Sequence, residues 1–401
     1  MSKWLFIVGI GEEGITALPP ATRSLIDQAD VLVGGKRHLA MVGVDARPRI
    51  GWETPISSTL DKIIAQKDKR VCVLATGDPL WFGIATSLVK RVPLDELTII
   101  PSPSAFSLAC ARLGWPLNDV ECLTLHGRPP ALIQSALAPN ARLLILSHDR
   151  TTPETVVDIL CDRGFGASKI SVFEHMGGDK ERLIEATAEA WDTSDIADFN
   201  TIAVECIAGT NASLRPRVPG LPDDAFIHDG QMTKREVRAI TLANLTPFPG
   251  ALLWDVGAGC GSVAIEWMRS AKNARALAFE RDAKRLQMIS DNAAALGTPF
   301  LEIISGVAPE CLENMATPDA IFIGGGITTE GLFDHCWKAL SPQGRLVANA
   351  VTLEGEAKLN ALSLEHGGEL TQIAISRAHP IGPYRGWRPF RPVTQWSITK
   401  P

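Results

Sequence analysis

The chain has 401 residues, which is well beyond the size of one ordinary domain, so two domains are the first expectation. Hydrophobic residues make up 45% and charged residues 21%, a composition that supplies two buried cores and argues against long disorder. The net charge of -6 disfavours nucleic acid as the main partner, because phosphate backbones attract basic surfaces.

The first apolar run covers only residues 4–8, and no later run reaches the roughly 18 apolar residues that a membrane span needs. The eight cysteines include no Cys-x-x-Cys pair, and several lie within apolar stretches. These features predict a cytoplasmic protein with reduced, buried thiols and no membrane association.

Strand-like and helix-like runs alternate over residues 1–212, which is typical of an α/β domain. Amphipathic helices are predicted over residues 22–29 and 155–163. The predicted buried strands are residues 5–8, 71–75, 97–100, 142–146 and 201–204.

Three unusual loops follow predicted strands in this first half, at residues 8–14, 75–83 and 101–106. Ligands of open α/β sheets collect outside the carboxyl ends of the strands, so the loops predict one shared pocket. Taken alone, the pattern Gly9-x-Gly11-x-x-Gly14 also fits a structural turn. It lacks a well-placed acid about 20 residues further on, which disfavours a dinucleotide site.

Together these loops resemble the tetrapyrrole methylases, a class III fold of two αβα subdomains that uses S-adenosylmethionine (SAM). The sequence departs from that family's motifs where Glu12-Glu13 replaces Pro-Gly, Thr76 replaces Ser and Ser102 replaces Gly. The segment from Gly34 to His38 is similar to a loop of the subgroup that acts late in corrin synthesis. The resemblance implies SAM contacts from Ile10, Gly77, Asp78, Trp81, Ser104 and Ala105.

A break in the pattern follows at residues 215–224, where three prolines and one glycine cannot continue a helix or a central strand. We therefore predict domains at residues 1–212 and 230–401, joined by a linker at 213–229. A second α/β alternation begins with a predicted helix from Thr233 and a strand at residues 252–255.

The strongest motif is the segment 255–261, Asp-Val-Gly-Ala-Gly-Cys-Gly, between that strand and a predicted helix at 262–271. Its glycines allow close approach of a ligand to the backbone, and the helix N-terminus offers free N–H groups. The next predicted strand, 276–279, ends at Glu280, whose carboxylate can accept from both hydroxyls of a ribose. Further strands are predicted at 301–304 and 320–323.

A nicotinamide-binding Rossmann domain or a purely structural glycine turn would also fit parts of this pattern. We favour SAM, because Asp255 precedes the turn, where it could hold a methionine ammonium group or buttress the loop. The segment resembles the class I SAM-dependent methyltransferases, and residues 231–238 look like the start of the decarboxylating precorrin methyltransferase domain. The residues considered for SAM binding are Thr233, Asp255, Gly257, Ala258, Gly259, Cys260, Gly261, Glu280 and Ala308.

A cluster of basic residues lies near the C-terminus among prolines and glycines, namely Arg377, His379, Arg385, Arg388 and Arg391. A solvated basic tail would explain them, but Arg377, Arg385 and Arg388 are also candidates for binding substrate carboxylates through paired N–H groups. No pair of histidines has zinc-ligand spacing, so no metal is expected.

The whole chain resembles the fused, decarboxylating precorrin methyltransferases of cobalamin synthesis. The resemblance implies methylation of precorrin-6Y at carbons 5 and 15, loss of the ring C acetate carboxyl and precorrin-8 as product. It assigns carbon 5 to the first domain, and carbon 15 with decarboxylation to the second. The expected partner is a polycarboxylate tetrapyrrole, and we expect a homo-oligomer. An RNA methyltransferase with a binding module and a nicotinamide oxidoreductase are the alternatives.

Overall fold

The computed structural model describes residues 3–193 and 195–401, and the chain divides into two compact units. Unit 1 comprises Met1–Arg128 and Pro139–Ser213, and unit 2 comprises Pro129–Ala138 and Leu214–Pro401. The predicted limits differ from these units in two respects: the ten residues from Pro129 to Ala138 belong with unit 2, and so does the predicted linker from Leu214 onward. Within unit 2, a Cβ on Gly297 would lie 2.5 Å from the Ser135 backbone nitrogen, so glycine permits this close packing.

The first sheet of unit 1 is entirely parallel, with the strand order β3-β2-β4-β1-β5. Every residue of β1 is buried, as expected for parallel strands covered on both faces, which explains why these strands are continuous apolar runs in the sequence. The elements are β1 (Leu5–Ile10), α1 (Pro20–Asp27), β2 (Val31–Gly34), α2 (Lys36–Met41), β3 (Arg49–Ile50), α3 (Ile56–Ile64), β4 (Val71–Thr76), α4 (Ala85–Leu88), β5 (Leu97–Ile100) and α5 (Ala105–Leu113).

The second sheet of unit 1 is mixed, with the order β6-β7-β10-β8-β9. Strand β10 is antiparallel to both of its neighbours, whereas β6 and β7 are parallel. Its elements are β6 (Glu121–Thr124), β7 (Arg142–Leu146), α6 (Thr152–Asp162), β8 (Lys169–Glu174), β9 (Arg182–Thr187) and β10 (Asn200–Glu205). The two sheets confirm the predicted α/β class for this half of the chain.

Unit 2 contains a seven-stranded sheet with the order β13-β12-β11-β14-β15-β19-β16. Strands β11 to β15 are parallel, and β19 is antiparallel to both β15 and β16. The sheet confirms the Rossmann-like class predicted for this half. The elements are α7 (Arg235–Leu245), β11 (Leu252–Val256), α8 (Ser262–Ser270), β12 (Arg275–Glu280), α9 (Ala283–Ala295), β13 (Glu302–Ser305), β14 (Ala320–Ile323), α10 (Leu332–Ala339), β15 (Arg345–Ala350), α11 (Leu353–His366), β16 (Glu369–Ile373), β17 (Ser376–Ile381), β18 (Tyr384–Pro389) and β19 (Val393–Thr399).

Two parts of unit 2 differ from the sequence expectations. Helix α7 begins at Arg235 rather than at Thr233, because Lys234 has the extended backbone of an N-cap. The basic segment near the C-terminus forms a hairpin of β17 and β18, paired from Ser376 with Pro389 to Ile381 with Tyr384.

The segment predicted as a linker is packed into unit 2 over part of its length. Leu221 and Phe226 are buried in the core beside the helices α7 and α8. The backbone N–H groups of Gly220 and Leu221 donate to the Glu266 carboxylate, at 2.7 and 2.9 Å. Glu266 also accepts from the buried Arg238 side chain at 2.7 Å, so a paired charge fixes this segment to the two helices.

Across the described ranges, no helix is both long enough and apolar enough to span a membrane.

Candidate functional site

The glycine loop of unit 2 connects β11 to α8 at the carboxyl edge of the sheet. Gly257, Gly259 and Gly261 have φ angles of 72°, 60° and 78°, in the left-handed region that side chains with a Cβ rarely adopt. Gly261 is the N-cap of α8, so the first N–H groups of that helix are directed toward the loop. The N–H groups of Gly257, Ala258, Gly259 and Gly261 already donate within the protein, so what the loop offers a ligand is close approach to its backbone.

Asp255 lies in β11 immediately before this loop and is only 1% exposed. Its Oδ2 accepts from the Ala264 N–H at 3.0 Å, whereas its Oδ1 has no hydrogen-bond partner among the described residues. The pKa of this carboxyl is raised to about 7, chiefly by burial; the Ala264 hydrogen bond lowers it and the charge of Glu280 raises it. A buried carboxylate oxygen without a partner suits a cationic or hydrogen-bond-donating ligand.

Glu280 ends strand β12 and is held by three backbone amides. Its Oε2 accepts from the Gly259 N–H at 2.9 Å, and its Oε1 accepts from Arg281 and Asp282 at 2.8 and 3.0 Å. These bonds orient the carboxylate and join it to the glycine loop, and Oε2 retains an acceptor position because Oε1 already accepts two bonds. The orientation suits recognition of a ligand hydroxyl group.

A cavity of about 820 Å³ lies along this edge of the sheet, within the range of roughly 300–1,000 Å³ typical of small-molecule sites. One end is lined by Glu280 and by Gly306, which follows β13. The other end is lined by Asn349 of β15, Ile373 of β16 and Val393 of β19. The predicted residues that line it are Thr233, Gly257, Ala258, Gly259, Cys260, Glu280 and Ala308. Asp255 and Gly261 are not among its lining residues.

The three candidate arginines lie in different surroundings. Arg377 donates to Glu236 at 2.6 and 3.3 Å and to Asp223 at 2.8 Å, and these two partners raise its pKa. Its guanidinium is thus already paired, unlike the expectation from sequence. Arg385 and Arg388 are exposed on β18, outside the lining of the cavity.

Arg391 lines the cavity, although sequence reasoning did not single it out from the basic cluster. The charge of this region was the signal in the sequence, because no Asp or Glu occurs after Glu369 in an otherwise acidic chain, but charge alone did not separate Arg391 from its neighbours. Phe390 and Ile375, at the base of the β17–β18 hairpin, line the cavity as well.

Hydrogen bonds join the three predicted loops of unit 1. The Gly77 N–H donates to the Ile10 carbonyl at 3.1 Å, and the Ser102 N–H donates to the Gly77 carbonyl at 3.1 Å. The Ser102 hydroxyl donates to the Gly9 carbonyl at 2.8 Å. A Cβ on Gly9 would lie 1.8 Å from the Gly77 oxygen, so the approach of these loops requires glycine. The loops after β1, β4 and β5 consequently form one continuous surface.

The other predicted residues of unit 1 belong to the same loops. Asp78 Oδ1 accepts from the Leu80 N–H at 2.9 Å, which shapes the second loop. The partly exposed Trp81 packs against Phe106, with ring centroids 5.6 Å apart. Ser104 caps helix α5, since its side chain accepts from the Ser107 N–H at 3.1 Å, and Ala105 is the first residue of that helix.

Beside these loops lies a charged cluster that sequence reasoning did not predict. Arg37 forms an ion pair with Glu12, donates to the Thr76 hydroxyl at 3.1 Å and lies 4.4 Å from the ring centre of Phe199. Burial and the charge of Arg37 lower the pKa of His38 to about 4, so its imidazole is neutral at pH 7. The negative charge of Glu12, which stands where the family has proline, is therefore paired with the guanidinium of Arg37 in α2.

Two family profiles match the chain. The family described as "Precorrin methyltransferase domain" matches residues 224–400, and the family described as "Tetrapyrrole (Corrin/Porphyrin) Methylases" matches residues 5–192.

Some relatives match the whole chain, and others match only part of it. A Precorrin-6Y C(5,15)-methyltransferase (decarboxylating) from Sinorhizobium sp is 41% identical over 401 residues, which is 100% of this chain and 97% of the relative. A Cobalt-precorrin-7 C(5)-methyltransferase from Salmonella typhimurium is 35% identical over 179 residues, 45% of this chain and 88% of that protein. The crystal structure of the C-terminal domain of precorrin-6Y C5,15-methyltransferase from Rhodobacter capsulatus shares 45% identity, covers 46% of this chain and 100% of that one, and has a TM-score of 0.44.

The full-length similarity, combined with the two profiles, confirms the resemblance drawn from the motifs. The chain belongs to the family of precorrin-6Y C(5,15)-methyltransferases (decarboxylating).

Proposed function

We propose that the chain converts precorrin-6Y to precorrin-8 in cobalamin biosynthesis. Two carbon atoms of the macrocycle, 5 and 15, each gain a methyl group, and the acetate of ring C loses its carboxyl group as carbon dioxide. The observation that carries this proposal is the 41% identity to a precorrin-6Y C(5,15)-methyltransferase (decarboxylating) along the entire chain. The glycine loops at a sheet edge in both units support two separate sites.

The residues of unit 2 fit S-adenosylmethionine, which supplies an activated methyl group when it is bound. Glu280 would accept hydrogen bonds from the ribose hydroxyls, because three backbone amides already hold its carboxylate at the cavity. Asp255 does not line the cavity, so its unpartnered Oδ1 would balance the positive charge of the methionine ammonium group through an intervening water. Ala308 would border the adenine.

We propose a second SAM site on the joined loops of unit 1. Gly77, Asp78 and Ala105 would contact the cofactor through the surface that these loops form, with Trp81 and Ser104 beside them. The hydrogen bonds among Gly9, Gly77 and Ser102 support a surface that is rigid before any ligand binds. Such preorganisation reduces the ordering cost of binding.

The chemistry requires alignment more than activation. The methyl acceptor is an electron-rich ring carbon, so no nucleophilic side chain has to be deprotonated. The protein's main contribution is to hold the acceptor carbon in line with the transferred methyl group and to exclude water. Apolar lining residues such as Val351, Ile373 and Val393 serve this purpose in unit 2.

We assign methylation at carbon 15 and decarboxylation to unit 2, and methylation at carbon 5 to unit 1. The division is supported by the relative named Cobalt-precorrin-7 C(5)-methyltransferase, which corresponds to only 45% of this chain. That relative aligns with less than half of this chain, and its name gives a single methylation. We therefore infer one methylation for each half of the chain.

The exposed Arg385 and Arg388 on the β17–β18 hairpin would bind peripheral carboxylates of the macrocycle, together with Arg391 at the cavity. A guanidinium can donate two parallel hydrogen bonds to one carboxylate. Arg377 would instead anchor the hairpin through Asp223 and Glu236.

We also propose a cytoplasmic homo-oligomer. The described cysteines are free thiols, as expected for a reducing compartment. Ile381, Tyr384 and Trp387 are exposed on the hairpin, Trp387 by 77%, and large exposed apolar side chains favour association. Light scattering coupled to size-exclusion chromatography tests the oligomer.

The decisive experiment is mass spectrometry of precorrin-6Y after incubation with the full chain and SAM. We expect a product with two added methyl groups and one carboxyl group fewer. Omitting SAM is the control and should leave the substrate unchanged. A product with no added methyl group, or SAM-independent turnover, would contradict the proposal.

A further inference from the structure

A hydrogen-bonded network of four polar side chains lies at the end of the unit 2 cavity that is opposite Glu280. Gln395 of β19 donates from Nε2 to the Asn349 Oδ1 at 2.8 Å and to the Thr241 hydroxyl oxygen at 2.9 Å. Asn349 donates from Nδ2 to the same Thr241 oxygen at 3.2 Å, and Asn244 donates to the Gln395 Oε1 at 2.7 Å. Thr241 and Gln395 are completely buried.

This network fixes the amide of Asn349 in one orientation. Its oxygen faces the Gln395 N–H and its nitrogen faces Thr241, so exchanging the two ends of the amide would place two N–H donors against each other and lose the bond from Gln395. Asn349 is the member that lines the cavity, and it retains one N–H and one acceptor position beyond these bonds. Burying a cluster of amide groups stabilises the fold less than burying apolar residues of similar size. The position of this cluster at a cavity therefore indicates a role in recognition.

The cavity wall beside Asn349 is mostly apolar. Val351 just after β15, Ile373 of β16 and Val393 of β19 contribute to it, although Arg391 also lines the cavity. The ribose-binding carboxylate Glu280 belongs to the opposite end, since β11 and β14 separate β12 from β15 in the sheet. The end with Asn349 is therefore the part of the cavity left for the methyl acceptor.

We propose that Asn349 is a positioning residue that holds the ring C acetate of the substrate for decarboxylation. This inference rests on the function proposed for unit 2. The Asn349 N–H would donate to one oxygen of the acetate carboxylate, and Gln395 and Thr241 would keep that N–H directed at it.

The chemistry explains why a neutral amide suits this task. After methyl transfer, the ring carries a positive charge conjugated to the carbon that bears the acetate. The bond between the acetate methylene and the carboxyl carbon breaks, its electron pair neutralises the ring, and carbon dioxide leaves. The methylene carbon then takes up one proton while a ring N–H releases one. Charge moves out of the carboxylate in this step, so apolar walls favour it and a tight guanidinium pair would oppose it.

The test compares Asn349→Ala and Asn349→Asp with the wild-type full chain by mass spectrometry of precorrin-6Y turnover. We expect methyl transfer in unit 2 to continue, while loss of carbon dioxide per methyl transferred slows at least about tenfold, because the acetate is no longer held in the orientation that lets its electron pair enter the ring. A methylated product that retains its ring C carboxyl should accumulate. Asn349→Asp preserves the shape and the bond from Gln395, so it serves if the alanine variant fails to fold.

Asn360→Ala is the matched control, because Asn360 is an exposed residue of α11 in the same unit, outside the network and outside the lining of the cavity. Its ratio of decarboxylation to methylation should equal that of the wild type. If both steps slow by the same factor in the Asn349 variants, or if neither changes, the positioning role is wrong. If the wild type itself gives no methylated or decarboxylated product, the proposed function fails instead.

Discussion

Replacement of Asp255 by asparagine should stabilise unit 2 by an amount that grows with pH. Burial raises the pKa of this carboxyl from 3.8 to about 7 in the folded chain. The folded chain therefore holds the proton more tightly than the unfolded chain does. The contribution of Asp255 to stability is most favourable below about pH 4 and is lost as the pH rises to about 7. At about 1.4 kcal/mol for each tenfold difference in proton affinity, the loss above pH 7 is up to about 4 kcal/mol.

Hydrogen exchange of the full chain, followed by mass spectrometry at pH 5 and pH 8, measures this effect. Peptides from β11 and α8 report the opening free energy of unit 2, and peptides from β1 and β4 of unit 1 are the internal control. The gain from Asp255→Asn should be about 2–3 kcal/mol larger at pH 8 than at pH 5. An equal gain at both pH values, or a loss at pH 8, would refute the claim that this carboxyl is desolvated and protonated near neutrality.

Three further predictions concern the two sites and the hairpin. Glu280→Ala should weaken SAM binding to unit 2 by roughly 1–3 kcal/mol in calorimetry, and unchanged affinity would remove the ribose assignment. Gly9→Ala should abolish methylation at carbon 5 but spare carbon 15, because the added Cβ would lie 1.8 Å from the Gly77 oxygen. Gly51→Ala is the control and should leave both methylations intact, because a Cβ on Gly51 would meet nothing within 4 Å. Arg388→Ala should raise the KM for the precorrin about tenfold with little change in kcat, which steady-state kinetics can check. An unchanged KM would exclude Arg388 from substrate binding.

The parallel sheets were predictable because their strands are buried on both faces. Such strands are continuous apolar runs, as in β1 and β4, and their sequence signal does not depend on distant partners. The strand β9 and the hairpin of β17 and β18 carry no such run, since most of their residues are exposed. Proline and arginine in the hairpin indicated a solvated tail instead.

In the candidate site of unit 2, the sequence predicted only those residues whose role depends on their neighbours in the chain. Gly257 and Glu280 follow directly from a turn that requires positive φ and from the end of the next strand. The partners of Arg377 could not be found in this way, because Asp223 and Glu236 lie 154 and 141 residues away in the chain. The same holds for Asn349, whose partner Gln395 is 46 residues distant and meets it only across the antiparallel pairing of β15 with β19.

Two groups of buried polar side chains in unit 2 lower its stability relative to apolar packing. Asp255 keeps a carboxylate oxygen buried without a partner, and Gln395 and Thr241 bury a polar network beneath the cavity residue Asn349. Apolar residues of similar size would avoid both costs, so packing alone does not explain these choices. Proteins depart from the most stable choice mainly where a site requires it.

A ligand that carries a positive charge near Asp255 and a carboxylate near Asn349 would recover part of each cost on binding. Of the nicotinamide and sulfonium cofactors considered from sequence, the sulfonium cofactor carries an ammonium group for Asp255. A polycarboxylate acceptor supplies the carboxylate for Asn349.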